Sequence, residues 1–437
     1  MGQILKMKGG LSFLNRKFIT LLVSHTLTSA VFAGGLEAAD VAFREGRFAD
    51  AEKLYGEVVG AANEPFEAVL RLGEIALYSN QLDRAEQRLR SAIQLRPDEK
   101  HPKLLLAEVH YRRDEFAQAA ALLRDWGSPA LADKLASFSE QKPYDLVMTD
   151  YITRVKFVST DPLPVIEGKV NGNKPVYFVI DTGGAELILN TEYGKSVGAV
   201  SFGSELKLFA ADQEASSEQA RIDSFQLPGV EIRNVPVHLL DTSRFAVVAG
   251  GRRVDGVVGT ILLNRFIFTF DYPAGQLVLR RRSSAASTEV RDLAQAAGAI
   301  TIPYWMAGDH FMVAQGRVNG GEPRMLFVDT GLAGGGFLCP ESMIQEAKIS
   351  LGNASFDGIG GAGTVKVTPF MVDELSLGGV LQRNVPSFAG AFPSSLEYRF
   401  GFRIAGLVSH SFFRPFSVTF DPLSMRMYVE ARPAPNP

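Results

Sequence analysis

The chain has 437 residues, 46% of them hydrophobic and 21% charged, with a formal net charge of -3. That length allows about three domains, and the composition is too apolar for disorder and too nearly neutral for nucleic-acid binding. The single cysteine, Cys339, excludes an intramolecular disulfide, and the six histidines are scattered without ligand spacing, so neither metal nor cofactor is expected.

The chain opens with Lys6, Lys8, Arg16 and Lys17, followed by an apolar run from Phe18 to Phe32 and the small residues Ala33, Gly34 and Gly35. This is the pattern of a secretory signal, read over residues 1–33. The other reading is an uncleaved membrane anchor, although the run is short for a full span. Either implies export, to the periplasm or the outer surface if the source is bacterial.

Residues 36–140 read as helices with a fixed period. Ala39, Gly73 and Ala107 are spaced by 34, as are Phe48, Leu82 and Phe116, and again Ala51, Ala85 and Ala119. Small residues at fixed positions let the two helices of a hairpin pack closely. This period and pattern resemble the tetratricopeptide repeat, with residues 131–138 as a capping helix. The array is read as a groove that docks a protein, or equally as a spacer or oligomerisation arm. Around Pro143 the helical period is lost, which places a boundary in 141–150.

From residue 151 short apolar runs alternate with Gly, Pro and Asn, an all-β signature. The region is duplicated. Val170-Asn171-Gly172 and Phe178-Val179-Ile180-Asp181-Thr182-Gly183 recur as Val318-Asn319-Gly320 and Leu326-Phe327-Val328-Asp329-Thr330-Gly331, 148 residues on. Further downstream the offset is 150. Arg233-Asn234-Val235-Pro236 matches Arg383-Asn384-Val385-Pro386, and Phe268-Thr269-Phe270-Asp271 matches Val418-Thr419-Phe420-Asp421. Two lobes are expected, at 151–282 and 299–432. The Ser/Ala-rich stretch 283–295 reads as a linker and 432–437 as a frayed tail. The fold class is therefore multidomain α + β: a helical solenoid, then two all-β lobes.

Two carboxylates held close cannot both ionise, so at moderate pH the pair holds one proton. Asp181 and Asp329 would then supply a base and an acid to one water, enough for direct attack on an amide carbonyl. Thr182 and Thr330 would tie the two loops together, and Gly183 and Gly331 would let backbone N–H groups approach the carboxylates. Asp271 and Asp421 read as turn initiators and His410 as a packed side chain.

The paired Asp-Thr-Gly motifs, the downstream Gly256-Val257-Val258-Gly259-Thr260-Ile261-Leu262 and Phe270-Asp271-Tyr272 resemble the retropepsin-like aspartic proteases, over about residues 151–432. The resemblance implies pepsin- or retropepsin-like β lobes, a psi-shaped loop at each aspartate, and hydrolysis of a peptide or unfolded protein in the cleft between lobes. Three positions depart from the usual pattern. Gly184 and Leu332 follow the motifs where a hydroxyl is common, and Ser409 stands where lobe one has Gly259. Gly358, Ile359, Gly360 and Gly361 read as a mobile flap in lobe two. The aligned stretch 208–212 of lobe one has no glycine, which implies a single working flap. The alternative function is a non-catalytic peptide clamp on the same scaffold. The spacing also allows each lobe to pair with a lobe of another chain.

Overall fold

The computed structural model describes residues 34–60 and 64–431. The expected export signal and the tail at 432–437 lie outside the described residues. Among the described residues no helix is long and apolar enough to cross a membrane.

The 34-residue period folds as three helical hairpins. These are α1 (34–44) with α2 (Phe48–Val59), α3 (Phe66–Tyr78) with α4 (Leu82–Leu95), and α5 (His101–Arg112) with α6 (Phe116–Trp126). A short α7 (Pro129–Ala136) closes the array. The small residues do the work their spacing implied: Ala51, Ala85 and Ala119 are fully buried. A methyl group on Gly73 would sit 3.0 Å from the Leu89 side chain, so α3 and α4 pack closely there.

The stretch around Pro143 starts lobe one: β1 (Asp145–Met148) pairs with β8 (Val230–Leu240) at the edge of its sheet. Lobe one is an eight-stranded sheet in the order β1-β8-β5-β9-β4-β3-β7-β6. Here β3 is Val165–Val170, β4 Val176–Ile180, β5 Leu187–Asn190, β6 Val200–Leu208, β7 Glu214–Leu227 and β9 Gly256–Val258. Lobe two repeats the design with β14 (Phe311–Val318), β15 (Arg324–Asp329), β16 (Phe337–Leu338), β17 (Phe356–Ile359), β18 (Thr364–Leu377), β19 (Val380–Ala389) and β20 (Ile404–Ser409). The Asn-Gly turns match in detail. Asn171 and Asn319 have φ of 48° and 49°, and their Oδ1 atoms accept the N–H of Ser224 and Glu374 at 2.9 and 3.1 Å.

A third sheet joins the lobes, in the order β12 (Ile300–Pro303), β22 (Arg426–Ala431), β21 (Phe416–Asp421), β10 (Phe266–Asp271), β11 (Gln276–Arg281) and β2 (Ile152–Lys156). At its centre β10 (Phe266–Asp271) of lobe one pairs antiparallel with β21 (Phe416–Asp421) of lobe two. Thr269 and Thr419 hydrogen-bond across that pair at 2.8 Å, and Phe268 stacks on Phe420 with centroids 4.8 Å apart. The lobes therefore pair within one chain. Asp271 and Asp421 initiate turns: Asp271 accepts Ala274 N–H at 3.3 Å, and Asp421 accepts Leu423 N–H at 3.0 Å.

The expected linker is instead a helix, α10 (Ser284–Ala296), capped by Ser283 Oγ, which accepts Ala286 N–H at 3.1 Å. Ala286 and Val290, one turn apart, bury against Ile267 and Tyr428. Ala-rich polar composition reads as a linker until an apolar i, i+4 pair finds a surface.

The helical array is not an appendage. Its first hairpin and α3 share a core with lobe two, where Phe402 meets Phe43, Phe48 and Tyr78 edge-on at 5.0–6.2 Å. Its last hairpin and α7 share a core with lobe one through Phe116, Leu135, Phe138 and Tyr144. Between them Arg112 donates to the carbonyls of Met306 and Gly308 at 2.9 and 2.7 Å, and Arg265 pairs with Asp114 at 2.5 Å. The array spans both lobes and braces them.

Candidate active site

Each aspartate stands at the end of an apolar strand that runs into the sheet of its lobe. β4 is parallel to β9, so Ile180 lies opposite Val258 and Asp181 N–H donates to Val258 O at 3.0 Å. β15 is parallel to β20, with Asp329 opposite Ser409. Burial of Phe178, Ile180, Leu326 and Val328 fixes where each carboxylate emerges.

The threonines lock the two loops together. Thr182 Oγ1 accepts Thr330 N–H at 3.0 Å and donates to Val328 O at 2.8 Å. Thr330 Oγ1 accepts Thr182 N–H at 2.9 Å and donates to Ile180 O at 3.1 Å. Both threonines are buried, so all four bonds exclude water.

The grip brings the aspartates face to face, within hydrogen-bonding reach of each other. Gly183 N–H donates to Asp181 Oδ1 at 2.7 Å, and Gly331 N–H donates to Asp329 Oδ1 at 2.9 Å. Each glycine also faces the opposite aspartate. A methyl on Gly183 would lie 2.6 Å from Asp329 Oδ1, and one on Gly331 would run into the Asp181 carboxylate. Burial, and then the negative charge of Asp181, push the Asp329 carboxyl well above the usual carboxylate range. Two carboxylates held this close share one proton, so the pair offers one acid and one base.

Behind the loops the lobes differ. In lobe one Thr260 Oγ1 donates to Thr182 O at 2.9 Å. In lobe two the hydroxyl has moved one residue earlier: Ser409 Oγ accepts Ser411 N–H at 3.0 Å and donates to Gly335 O. His410, at the position of Thr260, is fully buried, and burial first and Arg414 second lower its pKa to about 4. It is a packed neutral side chain, as its apolar surroundings in the sequence implied.

Gly358 and Ile359 lie on β17, and Gly360 and Gly361 lie at the tip of the β17–β18 hairpin. Lobe one carries an equivalent hairpin, β6–β7, against the expectation of a single flap. Its tip turns on Ala211 and Asp212 with φ of 56° and 55° instead of on glycine, which is why no glycine signal marked it. The two tips meet. Gly361 packs on the Phe209 ring, Gln213 Nε2 donates to Thr364 O at 2.8 Å, and Ala211 N–H donates to Ala391 O at 3.0 Å. Asp212 accepts four hydrogen bonds from the N–H and hydroxyl groups of Ser394 and Ser395, at 2.6 to 3.3 Å. Those donors pull its pKa down to about 2.

Cys339 is buried, and burial pushes its thiol up to about 12, so it stays protonated. Among the described residues no group of three or more His, Cys, Asp or Glu side chains could hold a metal ion.

Residues 166–262 match the aspartyl protease family model, and residues 76–134 match the tetratricopeptide repeat model. The first match contains Asp181 and the Gly256–Leu262 stretch; lobe two is tied to it by the internal register described above. A search among curated proteins returns no match.

Proposed function

We propose, from the premise that this chain carries a retropepsin-like aspartyl-protease region behind tetratricopeptide-like repeats, that it is an exported aspartic endopeptidase. Its substrate is a peptide or an unfolded segment of a protein, able to enter between the lobes as an extended strand. The observation that carries this reading is the reciprocal threonine grip with the paired carboxylates above it. A passive peptide clamp has no use for two carboxylates forced to share a proton.

The chemistry follows from that proton. The ionised member of the Asp181/Asp329 pair takes a proton from water as the water oxygen attacks the scissile carbonyl carbon. The protonated member donates its proton to the carbonyl oxygen. The tetrahedral diol then collapses: a proton passes to the amide nitrogen, the C–N bond breaks, and acid and amine leave. Preorganisation comes from Gly183 N–H and Gly331 N–H, which hold each carboxylate in place before substrate arrives. The basic and then apolar N-terminal sequence supports the proposed export, to the periplasm or outside the cell, with membrane contact only if that segment stays uncleaved.

The test is cleavage of an unfolded protein substrate across pH 4 to 7.5 by wild type, Asp181→Asn and Asp329→Asn. Each substitution should lower kcat by about 10³-fold or more, since neither carboxylate replaces the other. Cleavage that survives both substitutions would sink the dyad. Peptide binding without cleavage by the wild type would establish the clamp.

A further inference from the structure

Five residues beyond Asp181, on the same loop, Glu186 is buried at 3% exposure. Its Oε2 accepts from Lys134 Nζ of α7 at 2.6 Å, and Lys134 is fully buried. Its Oε1 accepts from Tyr111 OH of α5 at 2.5 Å, and that hydroxyl lies 3.2 Å from Tyr144 OH. His238 Nε2 of β8 lies 3.2 Å from the same carboxylate and accepts from Lys207 Nζ of β6 at 2.8 Å. Burial, then the neighbouring Lys207 and Lys134, hold His238 well below its usual range, so it stays neutral. A buried carboxylate with both oxygens filled is costly to build, and a well-packed apolar side chain could fill the space. The proposed reaction makes no use of it.

The two aspartate loops are anchored differently at their outer ends. In lobe two the loop is fastened within its own lobe, by Gly336 N–H to Pro386 O at 2.7 Å, Ser409 N–H to Gly336 O at 3.0 Å and Ser409 Oγ to Gly335 O. The lobe-two residue in the place of Glu186, immediately before β16, is Gly336, which has no side chain to reach anything. In lobe one Gly184 O and Ala185 O take the N–H groups of Thr260 and Ile261 at 2.9 and 2.8 Å. The next residue is Glu186, whose carboxylate lies beside His238 of its own lobe and also reaches Lys134 and Tyr111 of the helical array.

We infer that Glu186, held by Lys134 and Tyr111 of the array, is a positioning residue for the Asp181 loop, and that the array is thereby a working part of the active site. The inference rests on the proposed dyad for its catalytic consequence, but not for its structural one. The Asp181 loop is pinned at one end by the threonine grip and at the other by the N–H groups of Thr260 and Ile261 together with the Lys134–Glu186 pair. Displacement of α5 or α7 against lobe one moves the outer pin, while the loop of Asp329 keeps its own fastening.

The experiment separates positioning from mere folding. In the full mature chain, Lys134→Met and Glu186→Gln are made singly and together. Each single variant strands one buried charge and lowers the melting midpoint; the double removes both charges and recovers most of it. The double should nonetheless lose about 10-fold or more in kcat on a peptide substrate, with KM changed by less than about 3-fold. Hydrogen exchange of the 181–186 amides should quicken by about 10-fold in the double, with the 329–334 amides unchanged. Wild-type exchange in the double overturns the inference, as does faster exchange with undiminished kcat. If the wild type cleaves nothing, the dyad reading has failed, and the exchange comparison alone decides whether the array anchors the loop.

Discussion

Replacing Thr182 by Val is the sharpest probe of the grip, because the two side chains have nearly the same shape. The substitution removes the hydroxyl that accepts Thr330 N–H at 3.0 Å and donates to Val328 O at 2.8 Å. Two buried bonds are lost, at about 1 kcal/mol each net, and the Thr330 N–H is left facing a methyl group. An orphaned buried donor raises the total to about 2–4 kcal/mol. Thr330→Val removes the matching pair, to Thr182 N–H and Ile180 O, and should cost the same within about 1 kcal/mol. Thr→Ser at either site keeps the hydroxyl and loses one methyl, about 0.8 kcal/mol. Urea denaturation followed by tyrosine and tryptophan fluorescence reads these differences as shifts in midpoint at constant slope. If either Val variant costs less than about 1 kcal/mol, or costs no more than its Ser counterpart, the grip does not hold the lobes together and the reasoning fails.

Asp329, raised by burial and by Asp181, gives the pH dependence its sign. A raised carboxyl binds its proton more tightly when folded, so its stabilising contribution is complete below the unfolded value and is lost as pH rises through the folded one. Cleavage should fall on the same alkaline limb, and Asp181→Asn should move the stability transition of Asp329 to lower pH, measured by thermal melts across pH 4 to 9. Gly331→Ala drives a methyl into the Asp181 carboxylate and should lower kcat by about 10²-fold with a smaller loss of stability; equal kcat would show that the carboxylate is free to move aside. Asp212→Ala releases the lobe-one flap tip and should increase limited proteolysis within 205–215. The depressed pKa of Asp212 means that wild type gains the same susceptibility only as pH falls from about 4 toward 2. Phe402→Ala hollows the contact between array and lobe two and should cost about 3–5 kcal/mol by urea denaturation, the usual range for a buried aromatic.

Duplication made the centre of this molecule legible. Asp181 and Asp329 sit at matched points of two registers, and each follows four or five apolar residues that can only be a buried strand. The small residues at 34-residue spacing likewise declared helical hairpins before any contact was known. Three features resisted reading. The tip of the lobe-one hairpin turns on Ala211 and Asp212 at positive φ instead of on glycine, so the usual glycine signal was missing. The stretch 283–295 lacks a continuous apolar stripe, and its helix depends on Ala286 and Val290 finding Ile267 and Tyr428. Glu186 has no counterpart in lobe two, so the internal comparison that exposed the dyad passed over it.

The sequence by itself determined two β lobes with one Asp-Thr-Gly loop each, a helical array before them, and the chemistry two such carboxylates allow. These are properties of local pattern and of repetition, where strand burial and helix packing impose short periods. Only the tertiary structure decided that the array braces both lobes, that each lobe carries a hairpin whose tip meets the other, and that a lysine of the array reaches the loop of Asp181. Lys134 and Tyr111 meet Glu186 across 52 and 75 residues of chain, and partners so far apart leave no period to read. They are brought together because each buried charge needs its opposite, and that requirement acts in space rather than along the sequence.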